Sequence, residues 1–177
     1  CHGVVPAQIL LTRQDFSNRD RYRNAFAAMS ELLERGIVPI INENDTVSID
    51  ELTFGDNDML SALVSGFLHA DQLIILTDVN GIYTSNPRKD PDAVRLTELD
   101  EITDELLGGT DDLGSKVGTG GMRSKLLAAK TAHTLAVPVF IGTGSGSFKL
   151  LEILQGNGDG TYISSPLGSV INTKRQW

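Results

Sequence analysis

The feature that most constrains this chain is a recurrence: short apolar runs end on polar clusters and are separated by stretches of helical periodicity. Residues 4–12 form one such run and residues 37–41 another. Between them Tyr22, Phe26, Met29, Leu32 and Leu33 fall at steps of three and four, after Ser17 or Asn18 as a suitable N-cap, and Gly36 stops the pattern. Strand, helix, strand at this spacing is a βαβ unit, in which 37–41 reads as a buried strand. A second unit follows. A helix opening at Asp56 carries Leu60, Leu63, Val64, Phe67 and Leu68 on one stripe, and residues 73–76 then form a buried strand that ends on Thr77-Asp78 and the turn Val79-Asn80-Gly81.

Residues 82–98 read as a long surface connection, followed by a short helix at about 101–107. A third helix, with Met122, Leu126, Ala129, Ala132 and Leu135 at helical spacing, leads to a strand at 137–141 closed by a turn at 142–146. A short helix at 148–154 and a last strand at 161–163 complete the pattern, which predicts an α/β fold with a mainly parallel sheet. Ligands of such sheets sit at the carboxyl ends of the strands. That rule gathers Asn42 to Asp45, Thr77-Asp78 and Gly142 to Gly144 on one edge.

Composition narrows the function classes. The 177 residues suffice for one domain with a sizeable core. A formal net charge of −8 argues against a general nucleic-acid binder, which needs concentrated Lys and Arg, although a nucleotide needs only a few local donors. Cys1 is the single cysteine, so an intrachain disulfide and a thiolate metal cluster are excluded, which suits a reducing, intracellular setting. No apolar run approaches the roughly 20 residues of a membrane helix. The opening Cys1-His2-Gly3, with no methionine, leads us to expect sequence upstream.

Two stretches carry chemistry. In Gly55-Asp56-Asn57-Asp58, Asp56 can cap the following helix and Asp58 can oppose its dipole, but capping leaves Asn57 unexplained. In Gly118-Thr119-Gly120-Gly121-Met122-Arg123-Ser124-Lys125, glycines before a helix let backbone N–H groups approach an anion, and Lys125 can reach a terminal phosphate. The spacing is neither that of a P-loop nor that of a dinucleotide fingerprint. Asp45, Asn57 and Asp58 offer acceptors for a cationic group, a magnesium shell or the orienting of lysines; taken singly, each acid reads first as a solvated loop charge or a cap. Thr77-Asp78 could cap a turn or touch a nucleotide, Tyr83 reads as packing, Gly142-Thr143-Gly144 as a tight turn, and His69 and His133 as ordinary helix residues.

Taken together, residues 42–45, 55–58, Leu76-Thr77-Asp78 with Gly81-Ile82-Tyr83-Thr84 and Asn86-Pro87-Arg88, and 118–122 with Lys125 resemble the amino acid kinase family in order and spacing. The likeness is greatest to members that phosphorylate glutamate. The resemblance implies a three-layer αβα sandwich over 1–171, with 172–177 a linker or cut end. It implies transfer from ATP, accompanied by Mg2+, to the γ-carboxylate of L-glutamate in the cytoplasm, on the route to proline. By matching position Asp45 and Asn57 would bind glutamate, Asp58 would hold the catalytic lysines, and Lys125 would stabilise the phosphoryl group. Thr77, Asp78, Thr119, Gly120, Gly121, Met122, Arg123, Ser124 and Lys125 would bind ATP. Residues 46–54 correspond to the region near which the family senses proline, and homo-oligomers are usual in it. The family's first βα segment, with its lysine-bearing strand and glycine-rich loop, has no counterpart here, so weak or no activity is expected of these 177 residues alone. Kinases of acetylglutamate or of nucleoside monophosphates, and a non-catalytic nucleotide-binding module, are the competing readings.

Overall fold

Strand β1 (Val5–Leu11) pairs in parallel with β2 (Ile37–Glu43), Gln8 lying opposite Ile40. Thr12, at the end of β1, starts a one-turn helix α1 (Arg13–Ser17): its N–H and its hydroxyl both donate to the Asp15 carboxylate, at 2.6 and 2.8 Å. Asn18 then caps α2 (Arg19–Glu34), its Oδ1 accepting the N–H groups of Asp20 and Arg21. The chain reverses at Gly36, whose φ of +68° suits glycine. The computed structural model describes residues 2–47, 56–87, 89–108, 121–147 and 149–165.

One face of the β1–β2 pair is covered. Ile9, Leu11 and Ile41 pack there with Met29 of α2 and with Leu60 and Phe67 of α3 (Asn57–Phe67). On the other face Leu10, Val38 and Ile40 are exposed, beside Gln8 and Asn42. The expectation of a buried strand at 37–41 is therefore corrected to a strand buried on one side. A continuous apolar run signals covering on both faces, and the described helices against this pair supply one.

The second sheet contains β3 (Leu73–Leu76), β7 (Val139–Gly142), β8 (Gly160–Ile163) and β6 (Glu98–Leu99), in the order β3-β7-β8-β6. β3 and β7 are parallel, as are β6 and β8; β7 and β8 are antiparallel. Val139, Ile141, Leu73, Ile75 and Ile163 form one core with α5 (Met122–Thr134). The rings of Phe140 and Tyr162 pack in a tilted arrangement with centroids 4.8 Å apart, and the Tyr162 hydroxyl donates to the Ile153 carbonyl of α6 (Lys149–Leu154) while accepting the Gly158 N–H. Burial pushes that phenol above its ordinary range.

Residues 82–98 are more than a surface connection. β4 (Ile82–Tyr83) and β5 (Arg95–Leu96) form an antiparallel ribbon, and Ile82 is buried. The Ile82 N–H donates to the Thr161 hydroxyl, which donates to the Leu96 carbonyl, so a β8 side chain joins both ribbon strands. The short helix α4 (Asp104–Gly108) starts later than expected, where the Thr103 hydroxyl accepts the Leu106 N–H.

α3 joins the two cores. Leu60 and Phe67 face the β1–β2 cluster, whereas Ala62 belongs to the core of the second sheet. The single apolar stripe expected for this helix is thus corrected to burial on two sides, with Ala62 and Ser65 buried and Leu63 and Val64 only half-buried. Small residues let α5 come close. A Cβ at Gly66 would lie 2.3 Å from Leu135 Cδ1 and 2.8 Å from Leu135 Cβ. Gly66→Ala is expected to lower the thermal unfolding midpoint by a few degrees, because overpacking of about 1–3 kcal/mol outweighs a helix-propensity gain of about 1 kcal/mol. Among the described residues no helix is long and apolar enough to cross a membrane.

Candidate active site

Helices α3 and α5 run side by side in the same direction: Asp56 and Asp58 meet Ser124 and Lys125 at their N-terminal ends, and Gly66 meets Leu135 at the other. Asp56 caps α3, its Oδ1 accepting the Met59 N–H at 2.9 Å, while its Oδ2 accepts the Ser124 hydroxyl. Asp58 Oδ2 accepts from Lys125 Nζ at 2.8 Å, and the two side chains are only 18% and 15% exposed. Two helix N-termini, each carrying partial positive charge, converge on one point together with a lysine. Such a point favours an anion. The Asp58 carboxylate offsets the cost of holding Lys125 away from water and fixes where its ammonium sits.

Around this point lie the other residues named from the sequence. Gly121 is the N-cap of α5 and its carbonyl accepts the N–H groups of Ser124 and Lys125. Met122 packs against the core of the second sheet, and Arg123 is exposed. Thr119 and Gly120, with Gly55 and Gly118, lie outside the described residues, as do 48–54 of the segment beside the expected acceptor site.

Asn57, the first residue of α3, lines a cleft of about 570 Å3 with Pro6, Gln8, Ile40, Ile41 and Asn42. Asp45 is exposed on the turn that follows β2, which is anchored by the Asn44 N–H donating to the Leu11 carbonyl at 2.8 Å. Gln8 was not singled out from the sequence. A polar residue on the outward alternation of an apolar strand, in register with Ile40, was the available signal.

At the ends of β3 and β7 the Thr77 N–H donates to the Gly142 carbonyl at 2.9 Å, and the Thr77 hydroxyl to Asp78 Oδ1 at 3.2 Å. Thr77, Asp78 and Thr143 therefore emerge together on the carboxyl edge of the sheet. The Tyr83 hydroxyl donates to Asn80 Oδ1 at 2.7 Å, a local packing role. Arg95 pairs with Asp159 and donates to the Asn80 carbonyl, tying the turn after β3 to the loop before β8. Sequence reasoning missed this tie, since its partners stand 64 residues apart without a local pattern.

No group of three His, Cys, Asp or Glu side chains among the described residues could hold a metal ion, and Asp56 and Asp58 are already engaged. The described residues thus do not form a protein-built magnesium cage. An ion arriving with a nucleotide would be held by phosphate oxygens and water.

An α/β sheet with paired helix N-termini and a lysine–carboxylate pair at its edge is an arrangement that suits a phosphate-bearing ligand. The chain belongs to the amino acid kinase family, whose sequence model matches residues 2–143. It is 68% identical over 176 residues to glutamate 5-kinase 1 of Bacillus licheniformis, covering 99% of this chain and 48% of that protein. To glutamate 5-kinase 1 of Bacillus subtilis it is 65% identical, with the same coverage. The chain spans about half the length of the curated relatives it matches. Among solved structures, an isopentenyl phosphate kinase matches with a TM-score of 0.61 and 22% identity over 92% of this chain and 60% of that chain. A carbamate kinase from Giardia lamblia bound to AMP-PNP matches with a TM-score of 0.57 and 22% identity, over 79% of this chain and 44% of its own. These structures share the expected fold.

Proposed function

We propose that the protein transfers the γ-phosphoryl group of ATP to the γ-carboxylate of L-glutamate, giving glutamyl 5-phosphate, the first step towards proline, in the cytoplasm. The Asp58–Lys125 pair carries this reading, because it joins the helix bearing the acceptor residue Asn57 to the helix that starts at the nucleotide loop. The similarity to glutamate 5-kinases supports it.

A carboxylate acceptor is already a nucleophile, so no base is required. Catalysis reduces to positioning and to stabilising charge on the phosphoryl group in transit. Asp45 and Asn57 take the ammonium and carboxylate of glutamate, directing its side chain towards Lys125. Thr77 and Asp78, with Thr119, Gly120, Gly121, Met122, Arg123 and Ser124, line the nucleotide. Lys125, held by Asp58, meets the moving phosphoryl oxygens. Magnesium, when bound to the nucleotide, neutralises phosphate charge. A homo-oligomer, proline as feedback inhibitor and a kinase domain over 1–171 belong to the same proposal.

The exposed carboxylate of Asp45 suits a free ammonium and disfavours an acylated amine or a second phosphate. Asp45→Ala in the full-length protein is expected to raise the glutamate KM by about tenfold or more, with the ATP KM within about twofold, in a steady-state ADP-release assay. Equal changes in both constants, or better turnover with acetylglutamate or UMP than with glutamate, would overturn the assignment.

A further inference from the structure

The geometry points to a second use of Asp56: it is a positioning residue that fastens α3 to α5 through Ser124, so that the acceptor side and the nucleotide side hold one register and Lys125 stays on the phosphoryl path. This inference rests on the proposed glutamate kinase reading and deepens it. Capping α3 occupies only Oδ1 of Asp56, on the Met59 N–H. The other oxygen turns to α5 and accepts the Ser124 hydroxyl. That hydroxyl is not needed to cap α5, whose cap is Gly121 and whose Ser124 N–H already donates to the Gly121 carbonyl.

Two consecutive residues of α5, Ser124 and Lys125, are thus held by the two residues that flank Asn57 on α3. The ion pair alone locates an ammonium at the end of a flexible four-carbon stem. The Ser124 bond is different, because a short side chain fixes the helix backbone itself. With Gly66 against Leu135 at the far end, the helices are held at both ends. Ser124 consequently lines the nucleotide through its backbone alone, while its hydroxyl binds Asp56 and is not a direct ligand.

The test uses the full-length protein with Ser124→Ala, Ser124→Thr and Asp56→Ser, the last retaining a good N-cap with a side chain too short to span to α5. Ser124→Ala and Asp56→Ser are each expected to lower kcat for glutamate-dependent ADP release by roughly tenfold, because the lysine is displaced rather than removed. Both KM values should stay within about twofold, the double variant should lose no more than either single one, and Ser124→Thr should keep most of the activity. A loss in Ser124→Ala that Asp56→Ser does not share would overturn the inference in favour of direct nucleotide contact. Additive losses, or a lowered thermal midpoint with kcat unchanged, would also overturn it. If the unsubstituted protein releases no ADP with glutamate, the kinase reading fails separately. The fastening is then read from the rise in thermal midpoint caused by ATP: an equal reduction in Ser124→Ala and Asp56→Ser, spared in Ser124→Thr, supports it, and any other pattern overturns it.

Discussion

Replacing Lys125 with methionine in the full-length protein is expected to lower kcat for glutamate-dependent ADP release by about a thousandfold, with the fold retained. Methionine keeps most of the aliphatic stem, so packing of α5 changes little, while the ammonium paired with Asp58 disappears. Removing a single preorganised charge-stabilising donor costs about 100- to 1,000-fold in kcat in other enzymes. Here the upper figure is the better estimate. Asp58, its side chain only 18% exposed, is left without its partner and adds a repulsive charge where phosphoryl oxygens must pass. Asp58→Asn should cost less, about 10- to 100-fold, because the ammonium remains and only its placement loosens. That ordering distinguishes a lysine that stabilises the transferred group from one that merely braces two helices. For a brace the two variants would be equally impaired and would lose thermal stability in parallel. Steady-state kinetics beside a thermal unfolding curve for each variant supplies both readouts.

The sequence made the elements legible wherever local chemistry decides them. Asn18 and Asp56 cap the helices they were expected to cap, and Gly36 ends α2 in a left-handed conformation that glycine tolerates. The carboxyl-edge rule brought Thr77-Asp78 and Gly142 together, and they are joined by a hydrogen bond, whereas Asn42 to Asp45, expected on the same edge, end the strand of a separate two-stranded sheet. Long-range pairing was less accessible. Arg95 with Asp159 and Ser124 with Asp56 are polar contacts between residues more than 60 positions apart, and neither residue type announces its partner. Two-residue strands such as β4 have no period to detect, which is why 82–98 read as surface. In α3 the second buried side consists of Ala62 and Ser65, too small and too weakly apolar to mark a stripe, yet their size admits α5. The site residues came from the family resemblance more than from spacing. Lys125 one turn into a glycine-led helix is ambiguous until α3 supplies Asp58 opposite it.

Gly142→Ala is expected to cost about 3 kcal/mol of stability, lowering the thermal midpoint by about 6–12 °C. An added Cβ would lie 2.4 Å from the Asp159 carbonyl oxygen, 2.6 Å from Gly160 Cα and 2.7 Å from Phe140 Cζ. Two of these atoms are backbone of the facing segment, so no rotamer change relieves the clash. Gly142 and Gly160 are register partners, and a Cβ on Gly160 would in turn meet the Ile141 carbonyl oxygen and the Phe140 ring at 2.4 Å. The paired glycines are what allow the fully buried Phe140 ring to lie against the strands beside Tyr162. Forcing β7 from β8 strains the Thr143 N–H bond to the Asp159 carbonyl and, on the other side, the Thr77 N–H bond to Gly142. The expected kinetic consequence is selective: the ATP KM rises several-fold while the glutamate KM holds, since the cleft at Asn57 is lined by β1, β2 and α3. Gly36→Ala is the useful comparison. Its added Cβ meets nothing within 4 Å, and its cost comes only from a φ of +68°, about 1–2 kcal/mol. If Gly36→Ala proves the more damaging of the two in thermal unfolding, β7 and β8 separate easily, and their glycine pair does not hold the nucleotide edge in place.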